Sequence, residues 1–176
     1  TGSNWDVERV EHQFKNTGVT EFAGDNISFA SYDNKFVNVY SQESIPTSLF
    51  FSPDGRNMYM IGYNSKTLYQ YTLPTPWDIN SAYYASKSYD LSLFLVQPFS
   101  PNIYLSSDGT KIYIAGSYVG SIYQLNLNEA WDISSISGPT LYKDVSHETA
   151  VPGSVSFSSD GTKMYVLDEI VAKIYQ

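Results

Sequence analysis

With 176 residues, 42% of them hydrophobic and 16% charged, the chain is long enough for a folded domain and too apolar for a disordered tail. Eighteen acidic against ten basic side chains give a net charge of -8 with Lys and Arg scattered, which argues against nucleic acid as a partner. No apolar run reaches the roughly 20 residues of a transmembrane helix, so no membrane insertion is expected, and the absence of cysteine removes disulfides, thiol nucleophiles and thiolate metal sites.

Thr1-Gly2-Ser3 reads as a cloning scar or a domain boundary, with no cleavable signal behind it. Asn4-Trp5-Asp6-Val7 then matches Pro76-Trp77-Asp78-Ile79 and Ala130-Trp131-Asp132-Ile133 downstream, so the chain begins inside a repeat. Trp5 and Trp77 stand 72 positions apart against 54 for Trp77 and Trp131, which places an insertion of 18 residues within 8–35. Ile27-Ser28-Phe29-Ala30-Ser31, the turn Tyr32-Asp33-Asn34 and Phe36-Val37-Asn38-Val39-Tyr40 read as an extra hairpin there.

From Pro46 the pattern is regular. A short strand at Ser48-Leu49-Phe50-Phe51 leads into Ser52-Pro53-Asp54-Gly55, where Pro presets the first turn angle and Gly accepts positive φ. A second strand over 57–63, a turn at Asn64-Ser65-Lys66, a third strand over 67–73, the Trp-Asp linker and a fourth strand within 82–95 complete an antiparallel meander. The unit recurs from Ser100, with turns at Ser107-Asp108-Gly109 and Tyr118-Val119-Gly120, and a third copy runs from Pro152 to Gln176 with three strands. Asp54, Asp108 and Asp160 lie 54 and 52 residues apart, each followed 15 residues later by the Tyr of a Tyr-Gln pair. A period of this size marks stacked supersecondary units, none of which can bury its apolar face alone. With no sustained 3.6-residue period and with β-branched and aromatic residues filling the runs, the fold class is all-β: a β-propeller of four-stranded antiparallel blades. The segments are 1–45 as closing strand and inserted hairpin, 46–99 as blade 1, 100–151 as blade 2 and 152–176 as blade 3.

The Asp-Gly turn, the Lys-x-Tyr strand, the Tyr-Gln strand and the Trp-Asp-Ile linker together resemble the propeller repeats of bacteriophage structural proteins and bacterial surface proteins, within the wider YVTN-like and NHL-like propellers. The resemblance covers 35–176. It is unlike WD40, because neither His12 nor His147 follows a Gly. It implies a non-catalytic recognition or assembly role, on a virion or at the cell surface.

Single residues receive structural readings first. The three turn Asp residues are expected to bond their local backbone, the Trp-Asp pairs to cover the space between blades and cap the linker, and Tyr59, Tyr113 and Tyr165 to pack between blades. No Gly-x-Ser-x-Gly or His-Glu-x-x-His occurs and only two His exist, so no enzyme, cofactor or metal site is expected. The connections between strands two and three and between blades share one face and differ from copy to copy, as specificity loops do. The expected ligand-binding residues on that face are Tyr63, Asn64, Phe99, Tyr118, His147, Glu148, Asp168 and Glu169, with a glycan or surface protein as partner. The alternatives are a purely structural module and a propeller hydrolase or lyase. Three blades are too few to close a ring, so two chains are expected to form a six-bladed homodimer, each lending an N-terminal strand, from 7–14 or 36–40, to the other's last blade.

Overall fold

The computed structural model describes residues 34–95, 98–117 and 120–176; the first Trp-Asp pair, most of the insertion at 8–35 and Tyr118 lie outside them. The compact unit Lys35–Gln176 is all-β and repeat-like. Its first sheet is β1 (Pro46–Phe51), β2 (Asn57–Gly62), β3 (Thr67–Thr72) and β4 (Tyr83–Asp90), antiparallel in that order. The second repeats it with β5 (Pro98–Leu105), β6 (Lys111–Ser117), β7 (Ser121–Leu127) and β8 (Ile136–Asp144). The third has β9 (Pro152–Phe157), β10 (Met164–Asp168) and β11 (Lys173–Tyr175), and among the described residues no fourth strand pairs with β11. The first strands stand side by side, β1 against β5 and β5 against β9. Thr47 Oγ1 donates to the Pro101 carbonyl at 2.6 Å, across the first of these seams.

The Asp-Gly turns form as their composition requires. In each, a Ser hydroxyl two residues before the Asp donates to Asp Oδ1, which also accepts the backbone N–H two residues after it; Arg56 and Thr110 donate at 3.0 Å and Thr162 at 3.1 Å. Gly55, Gly109 and Gly161 carry φ of 68°, 69° and 69°, a left-handed region that costs an L side chain. These carboxylates are thus turn-builders, and the hydrogen bonds, the Ser hydroxyls first, hold Asp108 and Asp160 down at about 2.

The Trp-Asp linkers are equally local in origin. Asp78 and Asp132 cap short 3₁₀ turns, Ile79–Ser81 and Ile133–Ser135, by accepting from Asn80 N and Ser134 N. Each Trp before them turns left-handed, with φ of 62° at Trp77 and 65° at Trp131, and its indole lies over the turn glycine of its own sheet, Gly55 or Gly109.

Sheets meet face to face. Tyr59, Ile61 and Leu68 of the first pack on Ile103, Leu105, Ile112 and Ile114 of the second, all buried. At the next seam Ala115 and Ile122 meet Val155 and Val166, with the Tyr113 and Phe157 rings 4.3 Å apart. Each interior sheet face repeats the apolar positions of its predecessor, so one packing scheme serves both junctions.

Candidate functional site

The face that varies from copy to copy is built from three corners, each joining a connection between sheets to a turn between second and third strands. Every corner has the same backbone: Glu43 N donates to Val39 O at 2.9 Å, Leu95 N to Leu91 O at 2.8 Å and Thr149 N to Val145 O at 2.8 Å. On this common frame stand three different side chains, Glu43, Leu95 and Thr149, all buried.

In the first corner Glu43 reaches across to the turn at 63–66. Its Oε1 accepts Ile45 N at 2.6 Å, and its Oε2 accepts Ser65 N at 2.9 Å and Ser65 Oγ at 2.7 Å. Burial opposes the charge, but the bonds from Ile45, Ser65 and Asn64 prevail and hold the carboxyl below its ordinary value. The side chain passes over Gly62, where any Cβ would collide with it. Tyr63 projects beside it, 45% exposed, and Asn64 Nδ2 donates to Ser44 Oγ at 2.7 Å, tying the turn to the connection. Glu43 is the residue here that sequence reading missed, since nothing local marks a loop Glu as a buried anchor.

The third corner divides that work differently. Thr149 hydrogen-bonds Asp168, whose Oδ1 accepts Ile170 N at 2.7 Å and Val171 N at 2.9 Å; this buried carboxylate holds the turn and is kept below its ordinary value by those donors, Thr149 first. Its neighbour Glu169 is thereby released from structural duty. The Glu169 side chain lies over Gly153 at the start of β9, in space that a Cβ would fill. The side chain stays exposed as a whole, and the partial desolvation of its carboxyl pushes it above its ordinary value, the reverse of the shift at the buried Glu43 and Asp168.

The structure therefore brings two of the predicted groups together: the 147–149 connection and the 168–169 turn meet through Thr149 and Asp168. His147 and Glu148 are exposed on that connection, beside Asp144, which accepts Ser146 N at 2.8 Å. Tyr63 and Asn64 belong to the first corner, Phe99 is a residue of β5, and Tyr118 lies outside the described residues. Among the described residues no three His, Asp or Glu side chains converge as a metal site requires.

No protein-family model and no curated protein matches the sequence. Solved structures do match in fold. A candidate 6-phosphogluconolactonase of Bacteroides fragilis aligns with 73% of this chain and 33% of its own, at a TM-score of 0.56 and 16% identity. A second, from Bacteroides uniformis, covers 82% of this chain and 44% of its own, at 0.51 and 11%. The periplasmic gluconolactonase of Pseudomonas aeruginosa covers 74% and 38%, at 0.52 and 18%. This chain thus spans less than half the length of each. The likeness is one of all-β, repeat-like, propeller-type architecture.

These neighbours correct two expectations. The non-catalytic recognition module, and the reading that the chain is no enzyme, rested on the small stock of His residues and on resemblance to surface proteins. Structures of the same architecture carry lactonase names, so the fold does not single out a non-catalytic role. The scarcity of histidine did not carry that expectation, because carboxyl groups also serve as acid–base groups.

Proposed function

We propose that the chain is part of a propeller-type hydrolase that opens a small sugar lactone, its three sheets serving as blades and Glu169 handling the proton. The observation that carries this reading is the position of Glu169: a carboxyl relieved of turn-holding by Asp168, laid over Gly153 and raised above its ordinary value. A carboxyl free of structural hydrogen bonds can exchange a proton with a bound substrate and water. The lactonase names of the fold neighbours supply the reaction class.

Water adds to the lactone carbonyl carbon, and the bond from that carbon to the ring oxygen breaks. Glu169 takes a proton from the attacking water and returns it to the departing ring oxygen, leaving an open hydroxy acid and an unchanged carboxylate. Tyr63, exposed in the first corner, is an aromatic suited to stack on a sugar ring. His147 and Glu148 flank the site on the connection that Thr149 ties to Asp168. Glu148, Asp168 and Glu169 make this corner acidic, so a neutral lactone suits it better than a phosphorylated one.

Acid release from gluconolactone, followed with a pH indicator, tests this. Hydrolysis above the spontaneous rate is expected, with kcat falling about 100-fold in Glu169→Gln while KM changes little. The phosphorylated lactone should turn over more slowly. No rate above background, or a rate indifferent to Glu169→Gln, overturns the proposal.

A further inference from the structure

Residues 35–43 repeat, bond for bond, the end of a fourth strand and the corner that follows it. Tyr40 N donates to Asn38 Oδ1 at 2.9 Å, as Ser92 N does to Asp90 and Ser146 N to Asp144, each at 2.8 Å. The corner bond from Glu43 N to Val39 O matches those at Leu95 and Thr149. Counting back, Lys35 holds the position of Lys87, and the two act alike. Lys87 Nζ binds Asp132 of the next linker at 2.7 Å, and Lys35 Nζ binds Asp78 of its next linker at 3.3 Å. Residues 35–40 alternate half-buried and exposed, the period of a strand, with Val37 and Val39 packed on the first sheet and Phe36 73% exposed.

The third sheet is the complement. β9, β10 and β11 are strands one to three, and Ile174 of β11 is 72% exposed. In the complete sheets the corner also bonds the preceding turn: Leu91 N donates to Lys66 O at 2.9 Å and Val145 N to Gly120 O at 2.7 Å. The third such acceptor is the carbonyl of Ala172, whose φ of 53° matches 51° at Lys66 and 60° at Gly120; the third such donor is Val39 N. Among the described residues, one flank thus carries the first three strands of a four-stranded unit and the other carries the end of a fourth.

The faces agree with the edges. Tyr165, Leu167 and Ile174 occupy the positions of Tyr59, Ile61 and Leu68, which pack on the second sheet. Leu49, Phe51, Met58 and Met60 occupy the positions of Ile103, Leu105, Ile112 and Ile114, which receive them, and together with Val37 and Val39 they line an apolar groove of about 550 Å³. We propose that a second copy of this chain completes the third sheet with its residues 35–38, paired antiparallel to β11, and seats its groove on Tyr165, Leu167 and Ile174. Two complete sheets separate the halves within one chain, and joining them there would close a ring of three blades, below the roughly four to eight of closed propellers. Two copies related by a two-fold axis form two identical junctions and a ring of six. The inference stands independently of the hydrolase reading.

The register is set by Tyr69 opposite Ser88 and Tyr123 opposite Tyr142, which puts Phe36 of one copy opposite Tyr175 of the other. In this cysteine-free protein, Phe36→Cys with Tyr175→Cys should oxidise to a covalent dimer of twice 19.8 kDa, while either single change leaves the chain uncrosslinked at this seam. Light scattering of the unaltered protein at micromolar concentration should give the same doubled mass. Ile174→Asp should weaken the dimer at least about tenfold and Leu93→Asp, on an exposed corner of the first sheet, should leave it unchanged. A 19.8 kDa species, a crosslink within a single chain, or an open series of larger masses would each overturn the proposal.

Discussion

Trp131 and Trp77 share a motif, a left-handed backbone and a turn glycine beneath the indole, yet their surroundings differ. Trp131 is seated on the first sheet. Its ring stacks on Phe50 at 6.5 Å, its carbonyl accepts Tyr59 Oη at 2.6 Å and Gln70 Nε2 at 3.0 Å, and Gln70 Oε1 accepts Ile133 N at 3.0 Å. Trp77 is 62% exposed, with Phe51 of its own sheet as a ring neighbour at 5.7 Å. The lesson is that the linker's conformation is written locally, while Tyr59 and Gln70 of the preceding sheet add a dock that converts a surface ornament into an inter-sheet joint. Because that dock buries polar atoms, each must find its partner or cost about 1–3 kcal/mol.

The turn glycines should show the largest difference. Gly109 and Gly161 have the same φ, but an ideal Cβ on Gly109 overlaps the Trp131 ring, whereas Gly161 has nothing among the described residues within 4 Å. Gly161→Ala should cost only the backbone strain of about 1 kcal/mol. Gly109→Ala should add the expulsion of the indole from its seat, for about 4 kcal/mol in all. Urea denaturation measures both. Equal losses would mean that the indole contributes nothing to the joint.

Removing the rings should have a smaller effect. In the monomer at high dilution, Trp131→Ala should cost about 3 kcal/mol, since it empties an inter-sheet contact, and Trp77→Ala about 1 kcal/mol, since most of that ring meets solvent there. If Trp77→Ala proved as costly as Trp131→Ala in the isolated monomer, cover of the turn glycine rather than docking would dominate.

How far the sequence disclosed all this depends on how local each device is. The Asp-Gly turns and the capped linkers were legible because donor and acceptor lie two residues apart. The fourth strand, expected within 82–95, forms at Tyr83–Asp90. The corners were illegible, because backbone bonds define them and the side chains at the shared position, Glu43, Leu95 and Thr149, have nothing in common. The insertion at 8–35 likewise concealed that Lys35 answers to Lys87, a correspondence that their salt bridges make visible. Glu169 was named as an acid beside another acid; its raised carboxyl comes from Gly153, sixteen residues away, through the pairing of Asp168 with Pro152.

Acid titration gives the smallest effect and separates local turns from the joint. Asp108 and Asp160 are held down at about 2 by their Ser and Thr donors. At Asp132 burial opposes the charge, but the Lys87 ammonium and Ser134 outweigh it and lower the carboxyl too. A carboxyl lowered in the folded state binds its proton more readily once unfolded, so the unfolded chain takes up more protons as pH falls. Its contribution is therefore complete above the ordinary carboxylate range and is lost as pH drops through the folded value. Stability should be flat above about pH 5 and decline between about pH 4 and 2. Lys87→Met should remove only the share of that decline belonging to Asp132, below about 1 kcal/mol for so exposed a pair, and should leave the turn carboxylates titrating as before. A decline that begins near pH 6 in thermal melts, or one that Lys87→Met abolishes altogether, would refute this division between turn and joint.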